Sequence, residues 1–312
     1  MARNNDTGLA VVHALVVLST ILFAITGIGN GDNNGSFLEE WQRPTSDLFT
    51  VYANAKQGMA KSGNANRDAH DGWSLKLMLN PNASRRDGGS PATETKSRYK
   101  YGTYWARAKT ANCSAQPKAD VVTGIFTYFN DGADRNGNGL PDNNEIDFEW
   151  LCAEPEVVYL TIWTDYRESD PAKFRNVHRT INIKTGRILM ECYREQFGWC
   201  STSGKPLSES ERQPTKIEAI SNYYSPTRYY DYGITFEANR VHFMIVANGV
   251  THTLWDYRGH SDRIPDQPMY FMHNVWHTDN WYPMDDNGSA VETPKYPVNV
   301  YIDTSSFAPL NN

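Results

Sequence analysis

The chain has 312 residues, with 36 acidic and 30 basic side chains and a formal net charge of −6 at pH 7. Its 39% hydrophobic and 21% charged residues are typical of a folded protein, which excludes general disorder. No run of Lys and Arg is longer than two residues. We therefore do not expect nucleic acid as a partner, because binding to a phosphate backbone needs a basic surface.

The first element in chain order is an apolar segment, residues 9–28, which follows a short polar stretch containing Arg3. The segment carries no formal charge and is close to the roughly 20 residues that span a bilayer. Gly27 and Gly29 supply small residues for cleavage. We expect residues 1–29 to be a signal peptide or a retained signal-anchor, so the membrane is a partner only if the segment is retained. Residues 30–312 are then one extracellular domain, secreted or held at the cell surface.

The rest of the chain alternates short apolar or amphipathic runs with clusters of Gly, Pro, Asn and Asp, which predicts strands rather than helices. The predicted strands are 73–79, 101–108, 121–129, 145–151, 157–163, 178–183, 232–236, 242–247, 269–276 and 298–303. Such a series indicates an all-β fold, an antiparallel sandwich. Residues 189–225 are irregular and polar, and we expect them to be a long functional loop.

Four cysteines suit an exported protein, in which they form disulfides. Only seven residues separate Cys192 from Cys200, which favours a local bridge and leaves Cys113 to pair with Cys152. Free buried thiols are the alternative. Zinc is not expected, because no C-x-x-C spacing occurs.

The segment most informative about function is Glu145-Ile-Asp147-Phe-Glu149. Successive side chains of a strand point to opposite faces, so the three acids lie on one face while the apolar residues between them face the core. Crowded carboxyl groups raise each other's pKa. One could then attack an anomeric carbon while a second, protonated, donates to the leaving oxygen, as in glycoside hydrolysis. The competing interpretation is an amphipathic strand with a solvated acidic face.

Residues 145–149 resemble the E-I-D-F-E signature of glycoside hydrolase family 16. Four further segments resemble strands of that family in the same order, namely 101–107 (YGTYWAR), 121–128 (VVTGIFTY), 232–234 (YGI) and 272–276 (MHNVW). The resemblance covers about residues 97–303. The single residue between Asp147 and Glu149 resembles the branch with a regular catalytic strand, which includes lichenases and xyloglucan-active enzymes.

The resemblance implies a jelly-roll fold of the concanavalin A-like type and a retaining hydrolase or transglycosylase of polysaccharides. It implies Glu145 as nucleophile, Asp147 as its helper and Glu149 as acid/base, with no cofactor required for the chemistry. The residues that match the family's substrate cleft are Tyr104, Arg107, Tyr128, Trp163, Asn274 and Trp276, with the two tryptophans as stacking platforms; each could instead belong to the core. Trp105, in place of an acid often found there, and the insertion 189–225 depart from the family pattern.

A second motif overlaps the first, since residues 134–145 match the EF-hand pattern D-x-[DN]-x-[DN]-G-x5-E. The flanking segments are predicted strands rather than the helices that frame an EF-hand, and a nucleophilic Glu145 could not also chelate calcium. We expect a turn rich in Asn and Gly. The alternative is a structural calcium site formed by Asp134, Asn136, Asn138 and Asp142.

The sequence thus predicts an extracellular, monomeric, retaining endo-β-glycosidase whose partner is a polysaccharide, most simply a 1,3-1,4-β-glucan or a relative. A transglycosylase on the same fold remains an alternative. Two other classes also remain, a lectin-like jelly roll that binds glycan without turnover and a surface protein stabilised by calcium.

Overall fold

A computed structural model describes residues 35–83, 89–167, 173–196, 200–278, 281–284 and 291–310. The apolar segment 9–28, and with it the expected signal peptide or anchor, lies outside these residues. Within them, no helix is both long enough and apolar enough to cross a bilayer.

The described part of the chain forms sixteen strands and three short helices. The strands are β1 (Phe37–Glu39), β2 (Phe49–Tyr52), β3 (Gly58–Ala65), β4 (Trp73–Leu79), β5 (Ala92–Thr95), β6 (Gly102–Lys109), β7 (Val121–Phe129), β8 (Asp142–Leu151), β9 (Val157–Tyr166), β10 (Phe174–Asn182), β11 (Arg187–Arg194), β12 (Tyr230–Glu237), β13 (Arg240–Ala247), β14 (Val250–Tyr257), β15 (Tyr270–His277) and β16 (Val298–Pro309). The helices are α1 (Cys200–Ser203) and two 3-10 turns, Ser210–Arg212 and Ser261–Arg263.

The strands form two antiparallel sheets packed face to face. The front sheet has the order β11-β10-β9-β8-β7-β15-β5-β2, and the back sheet has the order β14-β13-β12-β6-β16-β4-β3 with β1 paired to β16. Neighbours distant in sequence, such as β6 beside β16 and β7 beside β15, show the crossovers of a jelly roll. The predicted all-β sandwich of jelly-roll type is confirmed.

The core lies between the two sheets and is built by the alternation of each strand. On β8, Phe148 and Trp150 are fully buried and their rings stack at 5.6 Å. From the back sheet, Tyr232 and Phe243 contact them, with ring centroids 4.5 Å from Trp150 and 5.3 Å from Phe148 respectively. Alternate residues of β8 are thereby fixed on the opposite face, outside the core.

All ten predicted strands are present in the structure, usually extended by a few residues. The expectation that residues 189–225 form one irregular loop is wrong at its start, because β11 continues to Arg194 as the edge of the front sheet. Strands β1, β2, β3, β5 and β14 were also not predicted. These are short, polar or edge segments, whose strand conformation depends on pairing with distant residues.

The remainder of 189–225 is fixed against the sandwich rather than being a free loop. Fully buried Arg179 of β10 donates to Glu191 at 2.7 Å and to the Pro214 carbonyl at 3.0 Å. Glu211 accepts hydrogen bonds from Tyr257 at 2.9 Å and Arg263 at 2.7 Å. The insertion therefore closes the open end of the core between β10 and β14.

Both expected disulfides are present. Cys113 is bonded to Cys152 and Cys192 to Cys200, with Cα atoms 5.8 Å and 5.6 Å apart. The first bridge ties the segment after β6 of the back sheet to the end of β8 of the front sheet. The second fixes α1 to the edge strand β11.

Candidate active site

The three acids of the sequence motif lie on the face of the front sheet that points away from the core. Glu145, Asp147 and Glu149 alternate along β8 with Ile146 and Phe148, which are fully buried. Four strands flank β8 on one side and three on the other, so the acids lie near the middle of the sheet. We call this surface the groove face.

Strand register determines which residues surround the acids. Glu145 lies opposite Tyr128 of β7 and Trp163 of β9. Glu149 lies opposite Gly124 and Tyr159. Because residues directly opposite each other project from the same face, these side chains line the groove face beside the acids.

Glu145 is held by two hydrogen bonds. It accepts the Asn143 side-chain amide at 2.9 Å and bonds to Asp147 on the next outward position. Only 5% of Glu145 is exposed, and this burial raises its pKa to about 7, while the bonds from Asn143 and Asp147 oppose the rise. The carboxylate is thus fixed in one orientation.

Asp147 lies between the other two acids on the groove face and is buried. Burial, followed by the negative charges of Glu145 and Glu149, holds its pKa well above the usual range, although a hydrogen bond with the Trp163 indole lowers it. Its bond to Glu145 also raises the Asp147 pKa. Burial and the neighbouring charges thus favour the protonated form of Asp147, which can donate a hydrogen bond to Glu145.

Glu149 is partly exposed on the groove face. Burial and, second, the charge of Glu145 raise its pKa to about 8, while a hydrogen bond with Trp276 lowers it. One strand thus presents carboxyl groups of raised pKa on the same face. A carboxylate beside a protonated carboxylic acid is the combination that double displacement at an anomeric carbon requires.

Four of the six predicted cleft residues lie on the groove face. Tyr128 and Asn274 occupy it on β7 and β15, beside Glu145 and Gly124 respectively. Trp276 is partly exposed and packs on Trp281 with ring centroids 6.3 Å apart. Trp163 is only 4% exposed, so its contribution to the site is the hydrogen bond to Asp147 rather than a stacking platform.

The predicted cleft positions of Tyr104 and Arg107 are wrong. Both residues belong to β6, which is in the back sheet. Tyr104 points into the core, 1% exposed, and donates to the carbonyls of Tyr99 and Lys100 at 2.9 Å. Arg107 points outward on the far side of the sandwich, where it contacts Asp303 at 2.9 Å.

Sequence reasoning missed several groove-face residues of the neighbouring strands. Tyr159 of β9 lies opposite Glu149, and the described segment 281–284 covers it, with the Trp281 ring 4.5 Å away. Asn176 and His178 of β10 lie opposite Trp163 and Thr161. The pairing register of β9 and β10 with β8 identifies these residues, but this register cannot be derived from the sequence of a single strand.

The EF-hand-like segment 134–142 is a loop closed by its own hydrogen bonds. Asp134 accepts the backbone amides of Asn138 and Gly139 at 3.1 Å and 2.8 Å, and Asp142 accepts the Arg135 amide at 3.0 Å. Asn136 also donates to Asp142. No group of three or more His, Cys, Asp or Glu side chains arranged for a metal ion occurs among the described residues. Calcium binding by Asp134, Asn136, Asn138 and Asp142 stays a prediction.

A separate cavity of about 450 Å³ opens on the outer side of the back sheet. Lys109, Asn299 and Tyr301 contribute to its lining. None of the three acids borders it, so we place the candidate active site on the groove face and not in this cavity.

Comparisons with known proteins agree with this architecture. No family model and no curated protein matches the sequence. Among solved structures, the Crh5 transglycosylase in complex with NAG is similar at a TM-score of 0.52 and 15% identity, over 90% of this chain and 87% of that one. The fold is that of glycoside hydrolase family 16.

Two further structures with this fold are similar to the chain. An endo-1,3-β-glucanase (laminarinase) catalytic domain from Thermotoga petrophila RKU-1 has a TM-score of 0.50 and 16% identity, over 88% of this chain and 97% of that one. A lichenase derived from a mouse hindgut metagenome has a TM-score of 0.48 and 15% identity, over 88% and 99%. At 15% and 16% identity, the likenesses to the Crh5 transglycosylase and the laminarinase establish the fold alone.

Proposed function

We propose that this chain is a retaining endo-β-glycosidase that hydrolyses a polysaccharide, with Glu145 as nucleophile, Glu149 as acid/base and Asp147 as the residue that positions Glu145. The observation that carries the proposal is the arrangement of the three acids on β8. They share one face in the middle of the front sheet, and burial raises the pKa of each. A solvated acidic face would not bury two of its three carboxyl groups.

The reaction proceeds in two displacements. The Glu145 carboxylate forms a bond to the anomeric carbon while the bond to the glycosidic oxygen breaks and Glu149 gives that oxygen its proton. Glu149, now ionised, takes a proton from the incoming hydroxyl, whose oxygen replaces Glu145 on the anomeric carbon. Both carboxyl groups return to their starting protonation states. Asp147 keeps its proton and holds Glu145 in position throughout.

The incoming hydroxyl decides between two activities. If it belongs to water the enzyme is a hydrolase, and if it belongs to a second sugar chain the enzyme is a transglycosylase. The likeness to a laminarinase supports a β-glucan as substrate, and the likeness to the Crh5 transglycosylase supports transfer as the alternative. A β-1,3-1,4-glucan or a relative is the substrate that we propose to test first.

The expected cellular site follows from the disulfides. Cys113–Cys152 and Cys192–Cys200 suit an oxidising compartment, so we propose that the enzyme acts outside the cytosol. Whether residues 1–29 are removed decides between a secreted and an anchored form.

Product analysis tests the proposal. The purified chain is incubated with barley β-glucan, laminarin, xyloglucan, agarose and carrageenan, beside a Glu145→Gln control. We expect shorter oligosaccharides from one of these polymers, absent with the control, and products longer than the starting chains would indicate transfer. Binding without products from any of the five polymers would contradict the proposal and favour a lectin.

A further inference from the structure

One row of groove-face residues extends from the acids to the edge of the front sheet. Glu145 lies opposite Trp163, Trp163 opposite Asn176, and Asn176 opposite Arg194 of the edge strand β11. Three strand spacings separate Glu145 from Arg194, about 14 Å. Arg194 is therefore in the same groove as the acids but farther from them than the width of one sugar ring.

Arg194 has no anionic partner in the described part of the chain. Its Nε donates to the Asn176 side-chain carbonyl at 3.0 Å, and its guanidinium lies 5.8 Å from the centroid of the Phe174 ring. None of the ion pairs among described residues includes it, whereas Arg179 and Arg240 each contact a carboxylate. Burial lowers its pKa to about 10, so the side chain remains cationic at neutral pH.

Asn176 presents a second donor without an acceptor. The residue is 1% exposed, and its Nδ2 atom has no hydrogen-bond partner in the described structure. Buried amide donors are normally satisfied, because leaving one unpaired costs free energy. A ligand that brings acceptors to this place would satisfy both Nδ2 of Asn176 and the remaining N–H groups of Arg194.

The charges of the groove indicate which ligand fits. A partly buried cation without a counter-ion favours an anion, and the planar guanidinium matches the oxygens of a carboxylate or a sulfate. Glu145, Asp147 and Glu149 disfavour an anionic group at the point of cleavage. Electrostatics therefore favour a negatively charged sugar group at the Arg194 end of the row and disfavour one beside the three acids.

We propose that Arg194 and Asn176 form a subsite for the acidic group of an anionic sugar, so that the polysaccharide recognised in the groove carries carboxylate or sulfate groups. This inference rests on the proposed function in taking the groove face as the glycan site. It specifies the relative of β-glucan that the groove recognises as one that carries acidic units, with the acidic unit more than one ring from the scissile bond.

The test measures binding with the full chain carrying Glu145→Gln, so that turnover does not enter the readout. Laminarin and barley β-glucan are each used in three forms, unmodified, with part of the C6 hydroxyls oxidised to carboxylates, and with part of them sulfated. Affinity electrophoresis compares the dissociation constants of the protein for the three forms. Because the chain has a net charge of −6, non-specific attraction to a polyanion does not favour the modified forms.

We expect one modified form to bind about tenfold more tightly than its neutral parent, and the carboxylated and sulfated arms show which anion is preferred. Adding Arg194→Gln should remove this preference, and Arg194→Lys should keep part of it. Arg228→Gln, an exposed arginine outside the groove, removes the same charge and should leave the preference unchanged.

Equal affinity for the neutral and acidic forms, or no binding to either, would overturn the inference. A preference for the acidic form that survives Arg194→Gln would also overturn it. Hydrolysis of a neutral polymer at a rate that Arg194→Gln leaves unchanged would refute the acidic subsite but keep the proposed function. If the acidic form binds in an Arg194-dependent way but the unsubstituted chain turns over neither form, the acidic subsite is supported and the proposed hydrolase function is refuted.

Discussion

Asp147 and Glu145 share one hydrogen bond on the groove face of β8, and this bond moves their pKa values in opposite directions. It lowers the pKa of Glu145 and raises the pKa of Asp147. A proton held by Asp147 would thus favour the ionised form of the neighbouring Glu145 and orient it. The nucleophile of the proposed reaction depends on a second carboxyl group that itself forms no bond to the substrate.

Replacement of Asp147 tests that dependence. Asp147→Ala removes the donor, so the pKa of Glu145 should rise and kcat/KM at neutral pH should fall by about 10²-fold or more. Asp147→Asn keeps an N–H donor at the same place and should keep the acid limb of the pH profile near its original position. If both variants lose the same amount of kcat/KM and their pH profiles have the same acid limb, Asp147 does not position Glu145.

Glu145→Gln should abolish turnover, by about a thousandfold or more, because an amide cannot attack the anomeric carbon. The melting temperature should not fall. The folded-state pKa of Glu145 is raised from 4.5 to about 7, so ionisation costs stability as the pH rises between these values.

The difference in melting temperature between Glu145→Gln and the unsubstituted chain should therefore be close to zero near pH 4.5, grow as the pH rises from 4.5 to about 7 and level off above it, by about 2–4 °C for each kcal/mol. Calorimetry across this range measures it. Retained turnover would falsify the nucleophile assignment, and a difference that is independent of pH would contradict the buried ionisation.

The pH dependence of kcat/KM should form a narrow bell. Activity needs Glu145 ionised and Glu149 protonated, so it should rise as the pH passes about 7 and fall as it passes about 8. The two limbs report the coupled carboxyl groups of β8 together. Initial rates in buffers of constant ionic strength would show this, and a plateau extending well above pH 9 would argue against Glu149 as the acid.

Trp276 should set the position of the alkaline limb. Its hydrogen bond to Glu149 lowers the pKa of that carboxyl group, so Trp276→Phe, which keeps a ring but loses the N–H, should move the limb to higher pH. Trp163→Phe is the matched control, because Trp163 bonds to Asp147 and not to Glu149. Identical alkaline limbs in Trp276→Phe and the unsubstituted chain would show that the indole does not control the acid.

The positions of the three acids on one face could be predicted from the sequence because alternation is local to a strand. The same rule places Tyr104 and Arg107, three residues apart on β6, on opposite faces, so they could not both line one cleft. It cannot say which of the two sheets contains β6. The resemblance to the family implies that both residues lie in the cleft, whereas β6 belongs to the back sheet.

The bonds between the acids and the two tryptophans depend on strand register across the sheet, which no single segment encodes. The same holds for Arg194, since β11 pairs with the rest of the sheet through β10 alone. Its mixed sequence, RILMECYR, has no clear alternation that would separate it from the polar residues after it. Pairing with β10 and the bridge from Cys192 to Cys200 hold it as a strand.

The two disulfides should contribute unequally to stability. Cys113–Cys152 closes 39 residues and Cys192–Cys200 closes 8, so the loss of chain entropy in the unfolded state gives about 4 kcal/mol for the first and about 2.5 kcal/mol for the second. Urea unfolding of the double variants Cys113→Ala/Cys152→Ala and Cys192→Ala/Cys200→Ala measures both. The first variant should be the less stable, since it also releases the connection between the two sheets. The opposite order would mean that Cys192–Cys200 stabilises the folded edge strand and α1 by more than its short loop accounts for.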